Sequence, residues 1–221
     1  SLPLVYVPPT AQADIEMLLL LQNGRGVPAF VLGNNLVTGR TDRELAFLLT
    51  KNLIKLRPDH LLLCPHVVPS HEELRIVLAA AMKLVRPDFD LPGTDKLAVK
   101  KYHSFLQRVL PQVQLVPITA AVEQLIADPA SIDLAAWVAG GEEEASRAAL
   151  LACGDIVAAA RELVKEARAR KTRPEEAILG LAQWSVSSPF LNLREQLGLA
   201  LMTDSTAQQV TPPPRRQEWS V

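Results

Sequence analysis

Thr41-Asp42-Arg43-Glu44-Leu45-Ala46-Phe47-Leu48-Leu49-Thr50-Lys51-Asn52-Leu53-Ile54-Lys55-Leu56 is the stretch on which the reading of the fold turns. Thr41 at an N-cap with Glu44 three positions on is a capping box, in which each side chain satisfies the other residue's backbone N–H. Leu45, Leu48, Leu49, Leu53 and Leu56 recur at helical spacing and predict one apolar face. Arg57-Pro58 ends the helix, since proline has no N–H to give and restricts the residue before it. At about 100° per residue Asn52 falls near the middle of the leucine stripe, with Lys51 and Lys55 on its flank. The expectation is a hydrogen-bonded core asparagine and two lysines snorkelling to water.

Working outward, Leu4 to Val7 is a short β-prone run closed by Pro8-Pro9, and Thr10 caps a predicted helix through about Gln22 with Ile15, Leu18 and Leu19 as its stripe. Gly24 and Gly26 end that helix. Pro28 to Gly33 and Leu36 to Gly39 read as two small strands joined by Asn34-Asn35, a β-hairpin. On the other side, Ser70-His71-Glu72-Glu73 is a second capping box, opening a helix to about Val85. Further helices are predicted at 95–109, 118–127 and 131–153, the last with a Gly140-Gly141 pair able to kink or divide it. Gly154-Asp155 reads as a C′ glycine followed by an N-cap, starting a helix from Ile156 to Arg170. Pro174 then restarts a helix at N1, and a last one runs from about Pro189 to Leu201. The fold class is mainly α (α+β), helical with a small β-hairpin or three-stranded element.

Composition narrows the function classes. Lys+Arg 23 against Asp+Glu 24 in 221 residues leaves a net charge of −1, so the global field gives no reason to expect nucleic acid or an anionic membrane as partner. The cations Lys165, Arg168, Arg170, Lys171 and Arg173 read as a solvated helix end. The longest apolar runs, such as Ile76 to Met82, fall well short of the roughly 18 residues of a membrane-spanning helix. Cys64 and Cys153 lack any CxxC spacing and read as reduced thiols of a cytoplasmic protein. The opening Ser-Leu-Pro-Leu-Val-Tyr-Val, without a basic or long apolar region, reads as a boundary inside a longer protein.

Chemistry-bearing motifs are sparse. Phosphate-loop, dinucleotide and nucleophile-elbow signatures are missing, and Ser185, Ser187 and Ser188 have no evident His and Asp companions. His60, His66 and His71, with Cys64 among them, match no zinc spacing and read as polar loop residues. His103 reads as a boundary residue, Trp137 and Trp184 as core. Trp219 sits in a polar tail from Thr203 that carries Pro212-Pro213-Pro214-Arg215-Arg216.

Pro28-Ala29-Phe30-Val31-Leu32-Gly33 and Val37-Thr38-Gly39, followed by Glu44 to Leu49, resemble the HtpX-type zinc metallopeptidases (HExxH gluzincins). There a strand and an N-A-F-like segment precede an E-L-A helix that runs into HExxH. In such a helix two histidines at i and i+4 bind zinc and the intervening glutamate polarises the metal-bound water. The resemblance places Lys51 and Lys55 at the histidine positions and Asn52 at the glutamate position. Lysine is cationic at neutral pH and repels a metal, and asparagine cannot take up a proton, so hydrolysis is expected to be lost. The family's third ligand lies in an E-x-E-A-D-R-like run. Glu142-Glu143-Glu144-Ala145-Ser146-Arg147 fits it with Glu144 at the ligand position.

What the resemblance implies is a zincin-like core over residues 1–170, a helical extension over 171–202 and a tail over 203–221. It implies no catalytic residue, no metal and no cofactor. The vestigial site is Lys51, Asn52, Lys55 and Glu144, with Lys51 or Lys55 in salt-bridge distance of Glu144. A peptide would lie in extended form along Phe30, Val31 and Leu32. The expected function is a non-catalytic protein-interaction or scaffolding module, a pseudo-peptidase, within a larger cytoplasmic protein of the kind that bacteria build with helical repeats. Two other classes compete with it. One is a metal-dependent hydrolase with atypical ligands among His60, His66, His71 and Glu144. The other is a helical-repeat adaptor without peptidase ancestry, which would lack a hairpin packed beside the Glu44–Leu56 helix.

Overall fold

The computed structural model describes residues 3–8, 14–22, 25–33, 36, 38–57, 60–63, 67–128 and 132–199. Three strands come first: β1 (Leu4–Tyr6), β2 (Ile15–Gln22) and β3 (Arg25–Leu32). Eight α-helices follow among the described residues: α1 (Asp42–Ile54), α2 (His71–Val85), α3 (Lys96–Val109), α4 (Gln112–Ala127), α5 (Leu134–Cys153), α6 (Ile156–Arg170), α7 (Glu175–Ser185) and α8 (Ser188–Gln196). The chain is therefore mainly helical with a small sheet.

The sheet corrects the N-terminal reading. Ile15–Gln22, predicted as a helix, is a strand antiparallel to β3, in a register from Ile15↔Leu32 to Gln22↔Arg25. Leucine favours helices by propensity, but the difference is a fraction of a kcal/mol per residue, and pairing with a neighbouring strand overrides it. The closing pair Gln22↔Arg25 leaves only Asn23-Gly24, outside the described residues, to join the strands. Asn-Gly is the strongest short-range hairpin signal, so the true hairpin lies one segment earlier than predicted. Thr38 and Gly39 are not in a strand, and the Asn34-Asn35 turn lies outside the described residues.

β1 pairs parallel to β3 through Leu4↔Ala29, Val5↔Phe30 and Tyr6↔Val31, giving the order β1-β3-β2. Phe30, Val31 and Leu32 thus lie on the central strand, and Phe30 and Val31 are paired on both sides. The predicted peptide-binding edge is not an edge; the outer strands are β1 and β2. Pro28 sits just beyond the span that β1 covers, where its missing N–H costs no ladder bond on that side.

The helical half follows its caps. Thr41 and Glu44 form the capping box in full, Thr41 accepting from the Glu44 N–H and Glu44 accepting from the Thr41 N–H at 2.9 Å. That backbone hydrogen bond, against the opposing effect of burial, holds the Glu44 carboxyl below its usual range. Thr41→Ala should lower stability by about 1 kcal/mol, read from denaturant unfolding. Ser70, Asp95, Asp133, Asp155 and Ser187 cap α2, α3, α5, α6 and α8. Gly154 ends α5 at φ 63°, the left-handed cap read from the sequence. Gly140-Gly141 leaves α5 unbroken.

One core joins α1, α5, α6, α7 and α8: Phe47, Ala149, Leu150, Cys153, Ala159, Leu163, Leu181 and Phe190 form a single buried cluster. The helices beyond residue 170 contribute Leu181 and Phe190 to this core, so they extend it without a break. α2 and α3 share a second cluster, Ile76, Ala79, Ala80 and Val99. The hairpin packs Met17 and Phe30 against Leu56, Leu61 and Val67, beside the end of α1. Trp137, expected in the core, is 40% exposed. Trp184 is half-buried against the main core, edge-on to Phe190 and under the Arg147 guanidinium. Cys153 is a free buried thiol, which burial pushes up in pKa; Cys64 and Trp219 lie outside the described residues. No helix among the described residues is long and apolar enough to cross a membrane.

Candidate functional site

The inward face of α1 is not the leucine stripe. The buried residues of the helix are Glu44, Phe47 and Lys51, whereas Leu53 is 47% exposed. These three positions follow i, i+3, i+7 and define a face turned away from the predicted one. Lys51 accordingly does not snorkel: it is 5% exposed and points into the packed helices.

Around it stands a cluster of opposite charges from three helices. The Lys51 ammonium lies 2.5 Å from Glu166 of α6 and 3.4 Å from Glu142 of α5. Lys55, one turn on, lies 2.7 Å from Glu142. Arg170 closes the group from α6, 2.8 Å from Glu166 and 3.7 Å from Glu142. Burial by itself would raise the Glu142 carboxyl, but the Lys55 and Lys51 charges, the Lys55 hydrogen bond and Arg170 outweigh it and hold it at about 2. Glu142 therefore stays ionised over the physiological range.

The predicted residues are thus only partly brought together. Lys51 and Lys55 do meet a carboxylate of the Glu142–Glu144 run, but it is Glu142 and not Glu144. Glu144 is half-exposed and pairs with Arg57 at 2.8 Å, while His60 Nε2 lies 3.1 Å from its other oxygen. The reason is helical: two residues along α5 turn the side chain about 200° round the axis, and it is the Glu142 face that α1 packs on. Asn52 takes no part, since its amide donates to the Leu48 carbonyl at 2.8 Å on its own helix. Glu166 was not among the residues expected at the site, and Arg170, expected only in a solvated helix end, pairs with Glu166 and Glu142; their signal was the i, i+4 pairing of an acid with a following cation on one helix.

A cleft of about 430 Å3 opens above the cluster, lined by Lys51, Glu142 and Ser146 below and by Arg170, Arg173 and Glu176 towards the rim. The alternative ligand set does not converge. His60 and Glu144 meet, but Arg57 occupies Glu144 as well; His71 is exposed in the first turn of α2, and His66 lies outside the described residues. Among the described residues no group of three or more His, Cys, Asp or Glu side chains is placed to hold a metal ion. A zinc ion does not fit the α1–α5 cluster either, because two of its three nearest side chains are ammonium groups. Compared with known proteins, the chain matches no family model, no curated relative and no solved structure.

Proposed function

We propose that the chain is a non-catalytic protein-interaction module, a zincin-like domain in which ion pairs stand where a peptidase would hold its metal. The observation that carries this reading is the meeting of Lys51 and Lys55, at i and i+4 of α1, with a single carboxylate of a later helix, Glu142. That is the spatial relation of a gluzincin's two histidines to its third ligand, with Glu142 in the place first given to Glu144. The hairpin packed beside the end of α1 speaks against a plain helical-repeat stack. A buried charge pair need not stabilise a fold on balance, so ancestry is a better account of its presence than stability. Any extended peptide joining the sheet would use the outer edge of β2, which is the longer of the two outer strands.

The ancestry is tested by restoring the ligands. A folded K51H/N52E/K55H variant should retain about one zinc per chain through the two new histidines and Glu142, and adding E142Q should abolish it. Lack of zinc in the folded triple variant would overturn the reading. Stoichiometric zinc in the unaltered protein would favour the hydrolase instead.

A further inference from the structure

The segment 96–127 combines two features that the ion-pair cluster does not use. α3 carries Lys96, Lys100, Lys101 and Arg108 and no carboxylate, while α4 carries one charged residue, Glu123. Four cations against one acid form a local positive excess on a chain whose net charge is −1. Lys96 pairs with Asp90 at 2.9 Å, but Lys100, Lys101 and Arg108 have no ion-pair partner among the described residues.

The second feature is apolar. α4 is apolar nearly all round, the pattern of an interior helix, yet Val122 is its one buried side chain among those described. Val113 and Val116 are 77% and 73% exposed, and Pro117 and Ala120 continue their face. The exposure runs on from α3, where Leu97, Phe105 and Val109 are open and the Arg108 guanidinium lies over the Phe105 ring.

We propose that α3 and α4 form a docking surface for an acidic amphipathic helix of a protein partner. Its apolar side would lie along Phe105, Val109, Val113 and Val116, and its carboxylates would meet Lys101 and Arg108, which at about 100° per residue flank Phe105 on α3. Charge complementarity selects an acidic partner, and the apolar ridge selects one that offers hydrocarbon as well as charge, which a nucleic-acid backbone does not. A membrane surface fits less well. An interfacial helix segregates its cations from one continuous apolar face, whereas Leu97, Lys101, Phe105 and Arg108 share a face, and the more apolar α4 has no cation. The proposal is independent of the peptidase ancestry and stands or falls without it.

The probe is a synthetic helical peptide with Leu at i, i+3, i+4 and i+7 and Glu elsewhere, titrated calorimetrically into the full chain. Saturable binding is expected, weakened at least about tenfold by K101E/R108E and by raising salt well beyond the physiological level. V113S/V116S should weaken it as well; all four positions are solvent-exposed, and unchanged melting confirms that the variants fold. No saturable binding, equal binding of a Lys-for-Glu peptide, or indifference to the charge reversal would overturn the proposal. So would binding to phosphatidylserine/phosphatidylcholine vesicles in place of the peptide, which would point to a membrane.

Discussion

Phe47→Ala is expected to lower the unfolding free energy by about 3–5 kcal/mol, measured by denaturant titration. The ring is 1% exposed and belongs to a cluster with Ala149, Leu150 and Cys153 on α5, Ala159 and Leu163 on α6, Leu181 on α7 and Phe190 on α8. Two of the cluster's members are alanines, which cannot swing in to fill the space a phenylalanine leaves, so most of the cavity would persist. Leu53→Ala, on the same helix but 47% exposed, should cost less than about 1 kcal/mol. The pair tests which face of α1 is inward. A larger loss for Leu53 would restore the leucine stripe as the core face.

Much of the fold was legible where a side chain closes a local hydrogen bond. Thr41, Ser70, Gly154 and Asp155 set helix boundaries that the structure keeps nearly to the residue, because a cap satisfies backbone groups that nothing distant can satisfy instead. Ile15–Gln22 was not legible from periodicity. A continuous apolar run suits either a helix face or a paired strand, and the deciding signal was the Asn23-Gly24 that follows it. The orientation of α1 was hidden for a related reason: five leucines outweigh one phenylalanine in any pattern count, although packing volume favours the ring.

The candidate site was legible in outline only. The pairing of the Lys51–Lys55 face with the Glu142–Glu144 run could be anticipated, but which glutamate turns inward depends on how α5 is rotated against α1. Neither helix's own sequence states that rotation, because Glu142, Glu143 and Glu144 are chemically identical. Glu166 and Arg170 enter from a third helix, α6, whose approach depends on the left-handed turn at Gly154.

That rotation makes Glu142→Gln the second large effect. The substitution removes the one carboxylate shared by Lys51, Lys55 and Arg170, so that all three cations lose a counter-charge at 2.7 to 3.7 Å where α1 packs on α5. A loss of about 3 kcal/mol is expected near neutral pH, whereas Glu144→Gln, in a half-exposed pair, should cost less than about 1 kcal/mol. The sign of the pH dependence follows from the depressed carboxyl. With its folded value at about 2, Glu142 contributes stability that is present above its unfolded value near 4.5 and is lost as pH falls towards 2. The unaltered protein should therefore lose about 3 kcal/mol more than the glutamine variant across that window. K55M/E142Q separates a buried charge from a missing contact. Removing both members of the pair should recover part of the single variant's loss, because part of what destabilises E142Q is the counter-charge lost at Lys55. No recovery would mean that Lys55 is satisfied by another counter-charge or by water when Glu142 is gone, and that its pair with Glu142 has little hold on the packing of α1 against α5.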